Sequence, residues 1–170
     1  EGDDGRVGVA ECGRADCAGH AYGFDGDDVL RGGVGADTLD GGAGVDTADY
    51  SASVAGVNVS LRLTGAQVGG GTGNHALGDV LTSIENVTGS NHNDMLAGDS
   101  RDNALFGLAG DDTLFGGLGH DFLDAGDGHD SLNGGAGNDS LHGGTGDDFL
   151  SSGNDDDVLY GGDGNDFLDG

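Results

Sequence analysis

From Gly89 to Asp169 one leucine returns at every ninth residue: Leu96, Leu105, Leu114, Leu123, Leu132, Leu141, Leu150, Leu159 and Leu168. About half of the residues flanking it are polar. Each leucine is therefore the inward member of a short outward–inward–outward run, the period-two signature of a half-buried strand. Leu30, Leu39 and Ala48 hold the same place in three earlier units that open at Gly23, Gly32 and Gly41. Counting from the opening glycine, the apolar residue is eighth and aspartate is sixth in every unit except one, where Asn103 stands. Glycine favours the first, second and fourth positions, where its tolerance of positive φ permits a tight turn. So short a strand cannot stand alone, so successive units are predicted to wind and stack with their position-eight side chains in one core. Two units make one coil of 18 residues, which pairs equivalent strands in parallel. The pattern predicts an all-β parallel solenoid.

The phase breaks once. Gly41 and Gly89 are 48 residues apart, which is not a multiple of nine. Within this insert Val57, Val59, Leu61 and Leu63 alternate as a strand, and Val80 to Val87 form a second apolar stretch. Gly69 to Gly73 between them predicts a flexible loop. The insert is expected to continue the solenoid as one or two wider coils. At the other end, counting back by nine from Gly23 reaches Arg14 and Gly5, with Cys12 on the inward position and no position-six aspartate. The chain thus divides into a degenerate cap (1–22), a first block of three repeats (23–49), the insert (50–88) and a second block of nine repeats (89–170).

Composition sharpens this picture. Forty of 170 residues are glycine, none is proline, and hydrophobic content is 34% with aromatics at 5%. Such a chain buries little apolar surface to offset the entropy of ordering, so something besides burial must contribute. The 32 acids against five basic residues give a net charge of -27. That excludes the basic footprint of a nucleic-acid binder. No apolar run approaches the roughly 18 residues of a membrane span. Only Glu1, Glu11 and Glu85 among the acids are glutamate, a bias that calls for short carboxylates at fixed backbone positions. A hard cation such as calcium takes six to eight oxygens, mixing carboxylates with carbonyls. Stacked glycine turns and position-six aspartates supply both. An ion between turns one coil apart would bridge Asp121 and Asp139, Asp130 and Asp148, Asp139 and Asp157, Asp148 and Asp166, or Asp28 and Asp46.

The unit G-G-x-G-x-D-x-apolar-x, intact at Gly32 to Asp40 and Gly116 to Asp124, resembles the calcium-binding repeat of the RTX family, the haemolysin-type repeat. The resemblance implies a right-handed parallel β-roll and a ligand rule: carbonyls at positions two and four of one turn, and one and three of the turn a coil later. On this chain the ion at Asp121 would also meet carbonyls of Gly117, Gly119, Gly134 and Ala136. The ion at Asp112 would meet Leu108, Gly110, Ala125 and Asp127, and the ion at Asp130 would meet Gly126, Gly128, Gly143 and Thr145. Gly135 and Gly137 serve Asp139, and Gly144, Gly146, Gly161 and Asp163 serve Asp148. In the first block the rule names Gly26, Gly41 and Ala43. Asp94, Asp157 and Asp166 complete the carboxylate set, and Asp37 has no obvious stacked partner. The pattern weakens at the units opening at Gly89 and Gly98, where His92, Asp99, Arg101 and Asn103 replace the consensus, and Arg101 would oppose a cation.

No catalytic motif is present. The six histidines form no H-E-x-x-H, and His120 and His129, both at position five of consecutive units, fall on opposite edges of a roll. The chain is read as a non-catalytic, calcium-dependent module of a secreted protein. The family resemblance implies export by type I secretion machinery, with folding outside the cell. The alternative is a self-associating subunit of a fibre, surface layer or adhesin, joined through solenoid ends whose strand edge stays open, with Phe149 and Phe167, 18 apart at outward positions, adding an apolar patch. Cys12 and Cys17 are candidates for a small-loop disulfide in an oxidising compartment, with two free thiols as the alternative.

Overall fold

The computed structural model describes residues 9–11, 19–68 and 73–170. Cys12, Cys17, Gly5, Gly8, Arg14 and loop residues 69–72 lie outside the described residues. Every described element is a strand. In chain order they are β1 (Val9–Glu11), β2 (His20–Asp25), β3 (Val29–Arg31), β4 (Thr38–Ala43), β5 (Thr47–Asp49) and β6 (Asn58–Ser60). Next come β7 (Val80–Thr82), β8 (Asn86–Thr88), β9 (Met95–Ala97), β10 (Ala104–Ala109), β11 (Thr113–Leu118) and β12 (Phe122–Asp127). The last are β13 (Ser131–Ala136), β14 (Ser140–Thr145), β15 (Phe149–Asn154), β16 (Val158–Asp163) and β17 (Phe167–Asp169).

All pairings are parallel. The chain alternates between a sheet of order β1-β3-β5-β8-β10-β12-β14-β16 and a second face carried by β2-β4-β7 and β6-β9-β11-β13-β15-β17. In the C-terminal block the predicted coil of 18 is met residue for residue: Leu105 pairs with Leu123, Leu123 with Leu141, and Leu114 with Leu132. The position-eight leucines from Leu30 to Leu150 are buried in one column between the faces. Each such side chain contributes about 1.5–3 kcal/mol by leaving water. With so few large apolar residues elsewhere, this column is the core.

The strands are longer than the sequence predicts. From β10 to β16 they run six residues, through the opening glycines of the next unit, and the pairing skips position one: Phe115 pairs with Asn133, then Gly117 with Gly135. Glycine at that corner lets the backbone bend without leaving the ladder.

The insert does continue the solenoid, in longer coils. Leu39 pairs with Leu81, Ala48 with Val87 and Val59 with Leu96. Its first predicted strand shrinks to β6: the chain turns at Leu61, which still packs against the core, and Leu63 is exposed. Its second divides into β7 and β8 around a turn at Ser83. The second face is interrupted between β7 and β6, and Gln67 closes the gap. Its backbone N–H donates to the Asp79 carbonyl at 2.7 Å and its own carbonyl accepts from Gly78 N–H at 3.0 Å. Its buried side-chain amide accepts from Ser60 N–H at 2.8 Å and donates to Ser60 O at 3.1 Å. One side chain thus does the hydrogen bonding of a strand edge. At the N-terminus β1 pairs with β3 at a spacing of 20, not 18, so Ala10 is level with Leu30. The expectation of an inward Cys12 falls on a residue outside the described ones.

Candidate metal centre

Stacking gathers the position-six residues into two rows, one on each edge of the solenoid. One row holds Asp28, Asp46, Glu85, Asn103, Asp121, Asp139 and Asp157. The other holds Asp37, Asp79, Asp94, Asp112, Asp130, Asp148 and Asp166. Within a regular row, Oδ1 of each aspartate accepts from the backbone N–H of its counterpart one coil earlier. Asp121 N–H donates to Asp139 at 2.8 Å, Asp112 N–H to Asp130 at 2.7 Å and Asp130 N–H to Asp148 at 2.9 Å. Only a short carboxylate makes this reach from a fixed turn, which accounts for the near absence of glutamate. Glu85 is the exception at a lengthened coil, where its Oε2 accepts from Asp46 N–H at 3.0 Å. Asp37, expected to lack a partner, donates its N–H to Asp79 Oδ1 at 2.8 Å. That partner was hidden because the insert puts it 42 residues away instead of 18.

The second carboxylate oxygen is different. Oδ2 of Asp37, Asp46, Asp112, Asp121, Asp130, Asp139 and Asp148 is buried and has no hydrogen-bond partner. Buried anionic oxygens without partners are costly. Burial pushes the Asp112 carboxyl up to about 7, with Asp94 and Asp130 of the same row adding to the rise. Burial likewise lifts Asp121 and Asp130 to about 6, helped by Asp139 and Asp148 respectively. Asp46, Asp139 and Asp148 are also raised, again first by burial.

At six of these seven turns glycine keeps open the space the oxygen faces, and at Asp130 the equivalent residue is Ala125. A methyl carbon on Gly134 would lie 2.5 Å from Asp139 Oδ2 and 2.7 Å from the Ser152 carbonyl oxygen. So the orphaned oxygen of one turn converges with the position-one carbonyl of the next coil, in a gap no side chain fits. Gly107, Gly116 and Gly143 border equivalent gaps, facing the carbonyls of Ala125, Gly134 and Gly161. At positions two and four the backbone is left-handed, as at Gly117 (φ 124°) and Gly119 (φ 111°), and even Leu108 takes φ 82° there. Among the described residues no three side chains of histidine, cysteine, aspartate or glutamate form a cluster. Any cation held here would take much of its shell from carbonyls. Carboxylate plus carbonyl oxygen, without nitrogen or sulfur, is the donor set that fits calcium.

The irregular turns satisfy their carboxylates internally. Asp94 accepts from Val57 N–H at 2.7 Å, Ser90 N–H at 2.5 Å and Ser90 Oγ at 2.8 Å. Asp79 Oδ2 accepts from the buried Tyr50 hydroxyl at 3.2 Å. Asn103 Oδ1 accepts from Asp99 N–H at 2.7 Å, and its amide donates to Glu85 O at 2.7 Å.

A fold of parallel strands wound into a solenoid, with hard-cation donors repeated along its turns, defines a class of calcium-binding repeat protein. The family model of the RTX calcium-binding nonapeptide repeat (four copies) matches residues 22–52, 88–123, 116–150, 124–159 and 142–170. Together these spans cover about two thirds of the chain, and the chain belongs to this family, as its repeats imply. A comparison with curated proteins gives no match.

Two features escaped the sequence. Position five carries a second ladder of opposite sense, in which a side-chain acceptor takes the N–H of the residue one coil later. Asn138 N–H donates to His120 Nδ1 at 2.8 Å and Asp147 N–H to His129 Nδ1 at 2.9 Å. The Asp, Asn and His choices at position five were the available signal, since all three present an acceptor near the backbone. The second is a tilted row of Phe106, Phe122, His142 and Tyr160 on an outer face, whereas the Phe149–Phe167 pair that the sequence singled out stacks 5.0 Å apart.

Proposed function

We propose that this chain is a non-catalytic, calcium-driven folding module of a secreted bacterial protein. It stays largely unfolded in the calcium-poor cell interior, leaves through type I secretion machinery, and winds into the roll outside. The observation that carries this is the row of buried, partnerless Oδ2 atoms facing carbonyls across glycine-lined gaps. Calcium supplies positive charge that offsets burial of those carboxylates and joins consecutive coils. We assign the principal ligands to Asp112, Asp121, Asp130, Asp139 and Asp148, with Asp157 and Asp166 in the last coils and Asp46 in the first block. The carbonyls are those of positions two and four of one turn and positions one and three of the next coil, from Leu108 and Gly110 through Gly161 and Asp163. Asp94 is set aside, because Ser90 and Val57 already occupy its oxygens.

Weak extracellular calcium sites work at roughly 10⁻⁴–10⁻³ M, and the module is expected to fold in that range. Far-UV circular dichroism across a calcium titration tests this. A strand signal that survives excess chelator unchanged would overturn it. A second role, self-association, draws support from the exposed, stacked rings of Phe149 and Phe167. Sedimentation of the calcium-loaded chain at rising concentration tests it, and a strict monomer would rule it out.

A further inference from the structure

The coil boundary between the turns at Ser83 and Gly98 is built unlike its neighbours. Arg101 stands at position four, a place that glycine holds in most units with a left-handed backbone. It lies outside the left-handed region there, unlike Gly119 or Gly137. Its guanidinium pairs with Glu85, meets Asp99 Oδ2 at 2.8 Å and donates to the Ile84 carbonyl at 2.9 Å. Two carboxylates and a backbone carbonyl from consecutive turns therefore converge on one positive group. Glu85 in turn accepts from Asp46 N–H, tying the guanidinium to the coil before. Asn103 removes the position-six charge, and its amide bonds inside the same junction. On the opposite edge, Asp79 and Asp94 are satisfied by Tyr50 and Ser90. Packing agrees with this, for Tyr50, Ile84 and Gln67 are among the largest fully buried side chains and all belong to this region.

We propose that Arg101 is a built-in cation that takes the place of calcium between the Glu85 and Asn103 turns, so that the coils around the insert close without metal and nucleate the calcium-dependent stack. This rests on the calcium reading above. It implies a folding order: the junction first, then the regular turns as calcium adds charge coil by coil.

Hydrogen–deuterium exchange of the full chain in excess chelator tests the proposal. Peptides covering 57–60, 79–87 and 94–99 should exchange roughly tenfold or more slowly than peptides covering 119–148. In Arg101→Gln this protection should fall to the level of the 119–148 peptides. Equal exchange of the two regions in the chelated wild type would overturn the proposal, and so would full protection retained by Arg101→Gln. Calcium addition to the wild type is a separate arm. If it protects none of the 119–148 peptides, the calcium reading fails, and that result is read from different peptides than the junction.

Discussion

Taking the calcium-free protein from neutral pH to about pH 5 should increase its structure, the reverse of ordinary acid denaturation. In the folded chain burial lifts Asp112 to about 7 and Asp121 and Asp130 to about 6, against an ordinary 3.8. A raised carboxyl holds its proton more tightly folded than unfolded. The folded state therefore loses no ground below pH about 4, where both states are protonated, and loses it progressively as pH rises through 4 to 7. Every pH unit separating the folded from the unfolded value is worth about 1.4 kcal/mol, so Asp121 and Asp130 cost at most about 3 kcal/mol each at neutral pH and Asp112 about 4. Even one such carboxylate is a sizeable fraction of the stability of a typical domain. The assay is far-UV circular dichroism in excess chelator at about pH 5, above the sequence pI of 4.1, and again at neutral pH. With calcium present the dependence should invert, because the ligands must be ionised and protons compete with the ion. A calcium-free chain less structured at pH 5 than at pH 7 would refute the assignment of these carboxylates as buried and uncompensated.

Other substitutions separate the parts of the structure. Asp130→Asn should lower calcium stoichiometry, measured by equilibrium dialysis, whereas Asp94→Asn should leave it unchanged because protein donors already hold that carboxylate; equal effects would contradict the division. Gly134→Ala places a methyl in the gap beside Asp139 Oδ2 and should weaken calcium-loaded stability by about 1–3 kcal/mol, while Gly65→Ala, with nothing within 4 Å, should stay within about 0.5 kcal/mol in denaturant unfolding. Gln67→Leu strands the N–H and carbonyl of Ser60 and should cost about 2–6 kcal/mol by the same measurement, at about 1–3 kcal/mol per unpartnered group; a change below about 0.5 kcal/mol would show that the break between β6 and β7 heals another way.

The repeat by itself determined the parallel solenoid, the coil of 18, the leucine column and the aspartate rows. Each is a local preference multiplied by strict recurrence: an apolar residue flanked in part by polar ones, glycines where the backbone turns left-handed, a short carboxylate at a fixed offset. Where recurrence fails, so does the sequence. The pairing of Asp37 with Asp79, the placement of Glu85 beneath Asp46, and the reach of Asp94 to Val57 all span the insert, where partners lie 37 to 42 residues apart and no spacing rule finds them. The stitch made by Gln67 is hidden for the same reason, since nothing periodic marks a lone amide as a strand edge. Arg101 shows the limit from the other side. By type it opposes a cation site, but only its approach to Glu85, Asp99 and the Ile84 carbonyl reveals that it replaces one. Tertiary structure also decided which carboxylates are left uncompensated. That depends on whether a neighbour such as Ser90 or Tyr50 reaches the second oxygen, a matter of distances across coils that residue type alone does not encode.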